Sequence, residues 1–224
     1  MAGVGDPVRV LLVDDDALVR SGLRLILGGA PDIQVVGEAA DGDEAIALTR
    51  TLAPDVVLMD IRMPRRDGIS TTSLITALLR PEPPRIIVLT TFDADDLVVR
   101  GVAAGASGFL LKDTPPALIV EAVRRVADGD PMLSPSVTAQ LMRRIAAGAP
   151  AERATSAQAR LAGLTERELE VAVAIGRGLS NAEIGAELYL SVATVKAHVS
   201  RLFSKLAVTN RVQIAIITHD AGLL

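Results

Sequence analysis

Five polar residues in the first half of the chain have the types and spacing to handle a phosphoryl group: Asp14, Asp15, Asp60, Thr90 and Lys112. Asp60 ends the run Val56-Val-Leu-Met-Asp60 and is followed by Ile61-Arg-Met-Pro64. Such a carboxylate is either a cap that ends a strand or a reactive group at the carboxyl end of a strand, where open α/β sheets place their chemistry. The other four residues decide between these readings. Three carboxylates brought to one edge repel one another, so each resists ionising. A divalent cation removes that cost, and an all-oxygen ligand set with few protein contacts selects magnesium, which keeps several waters and takes a phosphoryl oxygen readily. Asp60 is then the candidate nucleophile, forming an acyl phosphate. Lys112 neutralises one phosphoryl oxygen and the Thr90 hydroxyl hydrogen-bonds another.

Positioning these residues requires elements that return repeatedly to one edge. Val8–Val13 reads as a strand that runs into Asp14-Asp15-Asp16, and a helix follows from about Ala17 to Leu27, with Leu18, Val19, Leu23, Ile26 and Leu27 at core spacing. Ile33–Gly37 is a second strand, Asp41-Gly42 turns the chain, and Glu44–Leu52 is a short helix before Pro54. The Asp60 run has no helical spacing and reads as a third strand buried on both faces. Pro64 forbids its continuation, and Asp67-Gly68 marks a turn. Thr71–Leu79 is helical, closed by Pro81-Glu-Pro-Pro84. Arg85–Thr90 and Gly108–Leu111 are strands, separated by a helix over Asp95–Ala104. A helix over Pro115–Ala127 then presents Leu118, Ile119, Ala122, Val123 and Val126 on one side. Strand and helix alternate five times, and a doubly wound five-stranded parallel sheet with right-handed crossovers is the economical α/β solution.

Composition narrows the function classes. The chain has 224 residues, 50% of them apolar, enough for one large or two ordinary domains with real cores. Phe92, Phe109, Tyr189 and Phe203 are its only aromatics, so the cores are built from Leu, Val, Ile and Ala, and a ligand grip of stacked rings is disfavoured. The absence of Cys excludes disulfides and thiolate metal sites. No basic leader with an apolar core opens the sequence, and no uncharged apolar run reaches spanning length, which leads us to expect a cytoplasmic protein without membrane association. Residues 1–130 carry 13 Lys/Arg and 20 Asp/Glu, a balance of −7, whereas residues 131–224 carry 10 and 7, a balance of +3. The front half would repel nucleic acid, and the rear half could approach a phosphate backbone.

The divided charge matches a divided chain, read as 6–129, a helical segment and linker over 130–160, and 161–224. Ser134–Ala147 is a helical candidate that Ala146–Ala151 breaks, and Ala154–Gly163 is Ala-rich with little pattern. In the rear part Thr165 with Glu168, and Ser180 with Glu183, form capping-box patterns that open two helices, and Ser191 caps a third. The third helix, Val192–Lys205, has a stripe of Val195, Val199, Leu202, Phe203 and Leu206; a fourth helix spans Val208–His219. Two short helices joined by a tight turn resemble a helix-turn-helix unit. The third helix, at about 14 residues and about 21 Å, is long enough for a major groove. Its outer side offers Thr194, Lys196, Ala197, Ser200, Arg201 and Lys205, which alone would also describe an ordinary solvated helix face.

Leu11-Leu-Val-Asp-Asp15, Asp55–Pro64, Leu89-Thr90 and Gly105–Asp113 resemble the receiver domain of bacterial two-component response regulators, a flavodoxin-like fold. The resemblance implies that Asp60 accepts phosphate from a sensor histidine kinase and that Asp14 and Asp15 are the acidic pair. It also implies that Asp15, Asp60 and the backbone carbonyl of Arg62 bind Mg2+, and that Lys112 is the invariant lysine. Thr90 and Phe109 become the switch pair, the ring turning inward as the Thr moves toward the active site; read from the residues alone, Phe109 is equally a core position. Slow loss of the protein's own phosphate is expected, a timer and not an enzyme activity.

Leu164–Leu223 resembles the LuxR-type DNA-binding domain through Thr165–Glu168, Gly178–Ile184, Ser191–Val199 and Arg211–Ala215. This makes Val192–Lys205 the recognition helix, with Lys196, Ala197 and Ser200 facing bases and Thr194 and Arg201 contacting phosphates. Relatives often have a basic residue in place of Ser200 and Gly in place of Ala207, which implies lower affinity or a changed base preference, and a slightly different helix junction. His198 is assigned no reading role, because Glu168 or another buried polar group could hold it. The two resemblances combine as a phosphorylation-gated transcription factor of the NarL/FixJ type. Double-stranded promoter DNA is its target, a homodimer its phosphorylated form, and RNA polymerase a further candidate partner. Val212, Ala215, Ile216 and His219 are either a dimer surface or intradomain core. Phosphate-independent DNA binding, or a protein-binding scaffold with a degenerate helix-turn-helix, are the alternatives.

Overall fold

Apolar runs too short and too continuous for helices become the inner strands of a parallel sheet in the computed structural model, which describes residues 6–78, 83–90, 95–133 and 150–224. These residues form two compact units, one up to Leu133 and one from Pro150. The helix expected over Ser134–Ala147 lies outside the described residues.

The first unit alternates β1 (Val8–Val13), α1 (Ala17–Gly28), β2 (Ile33–Ala39), α2 (Gly42–Leu52), β3 (Val56–Asp60), α3 (Gly68–Leu78), β4 (Arg85–Thr90), α4 (Asp95–Ala104), β5 (Gly108–Leu111), α5 (Pro116–Ala127) and β6 (Met132–Leu133). The sheet is parallel throughout, in the order β2-β1-β3-β4-β5-β6. The five expected strands are all present. The sixth is a two-residue edge strand beside Gly108 and Phe109, too short to give an alternation signal, and it extends the sheet beyond the expected boundary at residue 129. From β1 the chain moves outward to β2 and returns to β3, so the loops after β1 and β3 diverge and leave a crevice at the carboxyl edge.

All five residues of β3 are buried, and β1 and β4 each bury their last four or five. At about 1.5–3 kcal/mol for each buried Val, Leu or Ile, these strands are the rigid floor under the crevice. On α1 Leu23 and Leu27 face the sheet, but Leu18, expected in the core, is 79% exposed and shares the outer face with Leu25 at 81%. A helix lying on a sheet buries one stripe, and Leu18 falls outside it. Leu118 is likewise exposed, while Ile119, Ala122, Val123 and Val126 of α5 are buried as expected.

The second unit contains α6 (Pro150–Leu161), α7 (Glu166–Gly176), α8 (Asn181–Leu188), α9 (Val192–Lys205) and α10 (Arg211–Asp220). Both capping boxes form, at Thr165 with Glu168 and at Ser180 with Glu183, and Ser191 caps α9. Val171, Ile175, Ile184, Val195, Val199, Leu202 and Ile214 make the core. The linker segment is helical as far as Leu161, which adds a fifth helix to the four expected. Ala157 and Leu161 bury into this core, Gln158 Nε2 donates to the Ala221 carbonyl (3.4 Å), and an Arg160 guanidinium N–H donates to the Leu206 carbonyl at the end of α9. Among its described side chains only Ala157 and Leu161 are buried, so the apolar stripe is faint in sequence. Ala207 has φ 50°. The junction is therefore left-handed, the conformation that favours glycine.

Candidate functional site

Strand register sets the acid cluster. Val13 pairs with Met59 and Asp60 with Leu89, so Asp14 and Asp60 stand side by side at the carboxyl edge, one residue short of Thr90 on β4. Carboxylate oxygens of Asp14, Asp15 and Asp60 all lie within 4.8 Å of one another. Asp14 and Asp60 are buried and Asp15 is exposed. Lys112, just beyond β5, places Nζ 2.8 Å from Asp14 Oδ2 and 3.0 Å from Asp60 Oδ1.

Three carboxylates face one ammonium, and the electrostatics follow. Burial pushes the Asp60 carboxyl above its ordinary range, and the Asp14 charge adds to that, against the opposing hydrogen bond from Lys112. Burial alone would pull Lys112 down, but its hydrogen bonds to Asp14 and Asp60 outweigh this and hold it above its usual value. The donor set fits a hard divalent cation: every candidate ligand is an oxygen, and the surplus negative charge is left open on the Asp15 side.

Neighbouring groups fix the acids in place. Asp14 Oδ1 accepts from the Asp16 amide (2.9 Å), and Asp16 in turn caps α1 by accepting from the Leu18 amide (2.8 Å). Arg20 Nη1 donates to the Asp14 carbonyl (2.6 Å) while Nε pairs with Glu38 (3.1 Å). Nothing in the sequence marked Arg20, because its partners are fixed by how α1 lies on β2. After Asp60 the chain folds back tightly: a Cβ on Gly68 would run into the Asp60 carbonyl oxygen, and the Gly68 amide donates to Ile61 O (2.9 Å). The intervening loop is tied down by Arg65 to Asp41 and by Arg66 Nε to Asp43 Oδ1 (2.7 Å). That loop carries Arg62, whose side chain is exposed. Thr90 is 5% exposed, and its carbonyl accepts from the Lys112 amide (2.9 Å). Phe109 is completely buried, its ring inward.

In the second unit Thr194, Lys196, Ala197, Ser200, Arg201 and Lys205 are all exposed on α9. They do not stand equally free. Lys205 Nζ donates to Glu168 Oε2 at 2.6 Å, and this bond, with that from the Thr165 amide, holds the Glu168 carboxyl down to about 2. The Thr194 hydroxyl lies 2.8 Å from Ser191 Oγ. Glu168 is thus engaged away from His198, whose buried Nδ1 has no hydrogen-bond partner among the described residues. On α10, Val212 is buried, Ala215 and Ile216 are half-buried, and His219 is exposed.

Residues 10–124 match the response regulator receiver domain, and residues 162–218 match the luxR family of bacterial regulatory proteins. The transcriptional regulatory protein LiaR of Bacillus subtilis (strain 168) is 42% identical over 217 residues, covering 97% of this chain and 99% of its own. The transcriptional regulatory protein LnrK of the same organism is 40% identical over 218 residues, 96% and 98% of the two chains. Among solved structures, the response regulator ChrA of a heme-sensing two-component system is 36% identical, covers 98% of this chain and 100% of that one, and gives a TM-score of 0.54. No helix among the described residues is long and apolar enough to cross a membrane.

Proposed function

The chain belongs to the two-component response regulators with a LuxR-type output domain, and from that membership and the geometry of the acid cluster we propose which of its residues carry the phosphoryl switch. It is a DNA-binding transcriptional regulator activated by aspartate phosphorylation. Asp60 is the acceptor. One of its carboxylate oxygens attacks the phosphorus of a phosphohistidine on a sensor kinase; the P–N bond breaks, and the imidazole leaves with the electron pair and is protonated. Asp14, Asp15, Asp60 and the Arg62 carbonyl would hold Mg2+. The bound ion would neutralise charge on the clustered carboxylates and on the phosphoryl oxygens during transfer. Lys112, already bridging Asp14 and Asp60, moves with Asp60 to a phosphoryl oxygen, and the Thr90 hydroxyl binds another.

The observation that carries this reading is the Lys112 bridge, since one ammonium spans two buried carboxylates beside a third ligand. Thr90 and Phe109 then couple the roughly 1.5–2 added charges to the output domain, through domain release, homodimerisation or both. On DNA two α9 helices occupy successive half-sites, with Lys196, Ala197 and Ser200 toward bases and Thr194 and Arg201 on phosphates. Half-buried Ala215 and Ile216, with His219, are the part of α10 open to a partner copy, and RNA polymerase is the further partner at a promoter. A native mass spectrum with magnesium and acetyl phosphate tests the reading. One phosphate per chain with dimer formation, both lost in Asp60→Asn, is expected; phosphate uptake by the variant would overturn the assignment.

A further inference from the structure

Tyr189 is the chain's only tyrosine, and it is 95% exposed. Of the other aromatics within the described residues, Phe109 is completely buried and Phe203 is half-buried. The phenol makes no hydrogen bond to any described residue. Its backbone has φ 55° and ψ 44°, a left-handed conformation that is costly for an L-residue and open to glycine. A large ring held in such a conformation and almost fully exposed contributes little to the fold.

Its place in the chain indicates what it contributes instead. Tyr189 ends α8 and stands two residues before Ser191, the cap of α9, so it sits in the turn of the helix-turn-helix. The turn is fixed. The Gly185 carbonyl accepts from the amides of both Tyr189 and Leu190, the latter at 2.8 Å, and a Cβ on Gly185 would stand 2.7 Å from the Leu190 carbonyl oxygen. The ring therefore projects from a rigid base beside the first turn of α9. A recognition helix enters the major groove by its N-terminal residues, which leaves the preceding turn at the flanking sugar-phosphate backbone. Tyrosine hydroxyls are among the donors that read phosphate there. Cations in this unit are also partly committed, with Lys205 on Glu168, Arg167 on Glu170 and Arg177 on Glu187, so a neutral donor adds to a thin basic face.

We infer that Tyr189 is a DNA-backbone contact, its phenol hydroxyl donating a hydrogen bond to a phosphate at the edge of the groove that α9 enters. This rests on α9 being the recognition helix. The proposal makes the contact independent of base sequence and of the receiver.

The test uses the full-length chain treated with magnesium and acetyl phosphate, titrated against a labelled duplex of mixed sequence over a range of salt concentrations. Tyr189→Phe should weaken binding about fivefold, as expected for one lost hydrogen bond, with the salt slope unchanged because no charge is removed. Tyr189→Gly should bind at least as weakly while its thermal midpoint stays level or rises, since glycine accepts the left-handed turn. Wild-type affinity in either variant would overturn the proposal and leave the ring to a protein partner; a lower midpoint for Tyr189→Gly would make the ring structural. A wild-type chain without salt-dependent binding would instead overturn the recognition-helix reading beneath it.

Discussion

Lys112 reaches across 98 positions of sequence to meet Asp14, whereas the side chains proposed to face DNA come from one helix of 14 residues and the turn before it. The acid cluster is non-local, charge-imbalanced and buried at Asp14 and Asp60, so each member depends on the others. The face of α9 proposed to meet DNA is exposed and local, so contacts made by it would act nearly independently. Chemistry at a phosphorus atom demands fixed positions and low dielectric, while binding a polyanion demands accessible cations whose contributions add. The same difference predicts that substitutions in the cluster act as a switch and those on α9 as a dial.

The largest effect is expected at the bridge. Lys112→Ala leaves Asp14 and Asp60 buried without their ammonium, which should cost about 2 kcal/mol, below the cost of breaking a fully buried pair because the Lys112 side chain is 27% exposed. Urea unfolding should show this loss shrinking when magnesium is added, and phosphate uptake should no longer produce dimer. Equal loss with and without magnesium would mean that the cluster does not hold the cation.

Glu168 makes the rear unit acid-sensitive. Its carboxyl is held at about 2 against an ordinary value of 4.5, chiefly by Lys205 and the Thr165 amide. The stabilisation is complete above pH 4.5 and is lost as the pH falls toward about 2. The thermal midpoint of this unit should fall across that window, and Glu168→Gln should flatten the dependence. Lys205→Met should lower stability more than DNA affinity, and the reverse would restore Lys205 to the groove.

Arg201→Ala is a smaller change, since the side chain makes no ion pair among the described residues. Affinity should drop a few-fold for every duplex, with the log–log salt slope reduced by roughly one. An effect confined to one sequence would make Arg201 a base reader. The smallest effect is a gain. Ala207→Gly relieves a left-handed alanine at φ 50° and should stabilise the rear unit by about 0.5–1 kcal/mol, after allowing for the freer unfolded chain. An unchanged or lower midpoint would show that the junction carries no strain.

The acid cluster was legible because strand ends announce themselves: β3 is a continuous apolar run stopped by Asp60, and the strands before Asp14, Thr90 and Lys112 are equally plain. The order of alternating elements then forces those ends to one edge. The caps at Thr165, Ser180 and Ser191 were legible for the same reason, since a cap and its partner lie within four residues. Arg20, Gly68 and Tyr189 were not, because their significance lies in which distant backbone they approach or in how far the side chain stands out into solvent.

The sequence by itself therefore determined most element types, their order, the caps of the rear helices and the residues at strand ends, which follow from periodicity and short-range hydrogen bonding, but not the edge strand β6 or the helix α6. Tertiary structure decided which face of each element is covered and which charges pair. It turned Leu18 outward, docked the alanine-rich α6 on the rear core, buried Val212, and gave Lys205 to Glu168. A helix with two apolar stripes, or a lysine within reach of both an acid and a phosphate, has alternatives of similar local free energy. Only long-range packing selects between them.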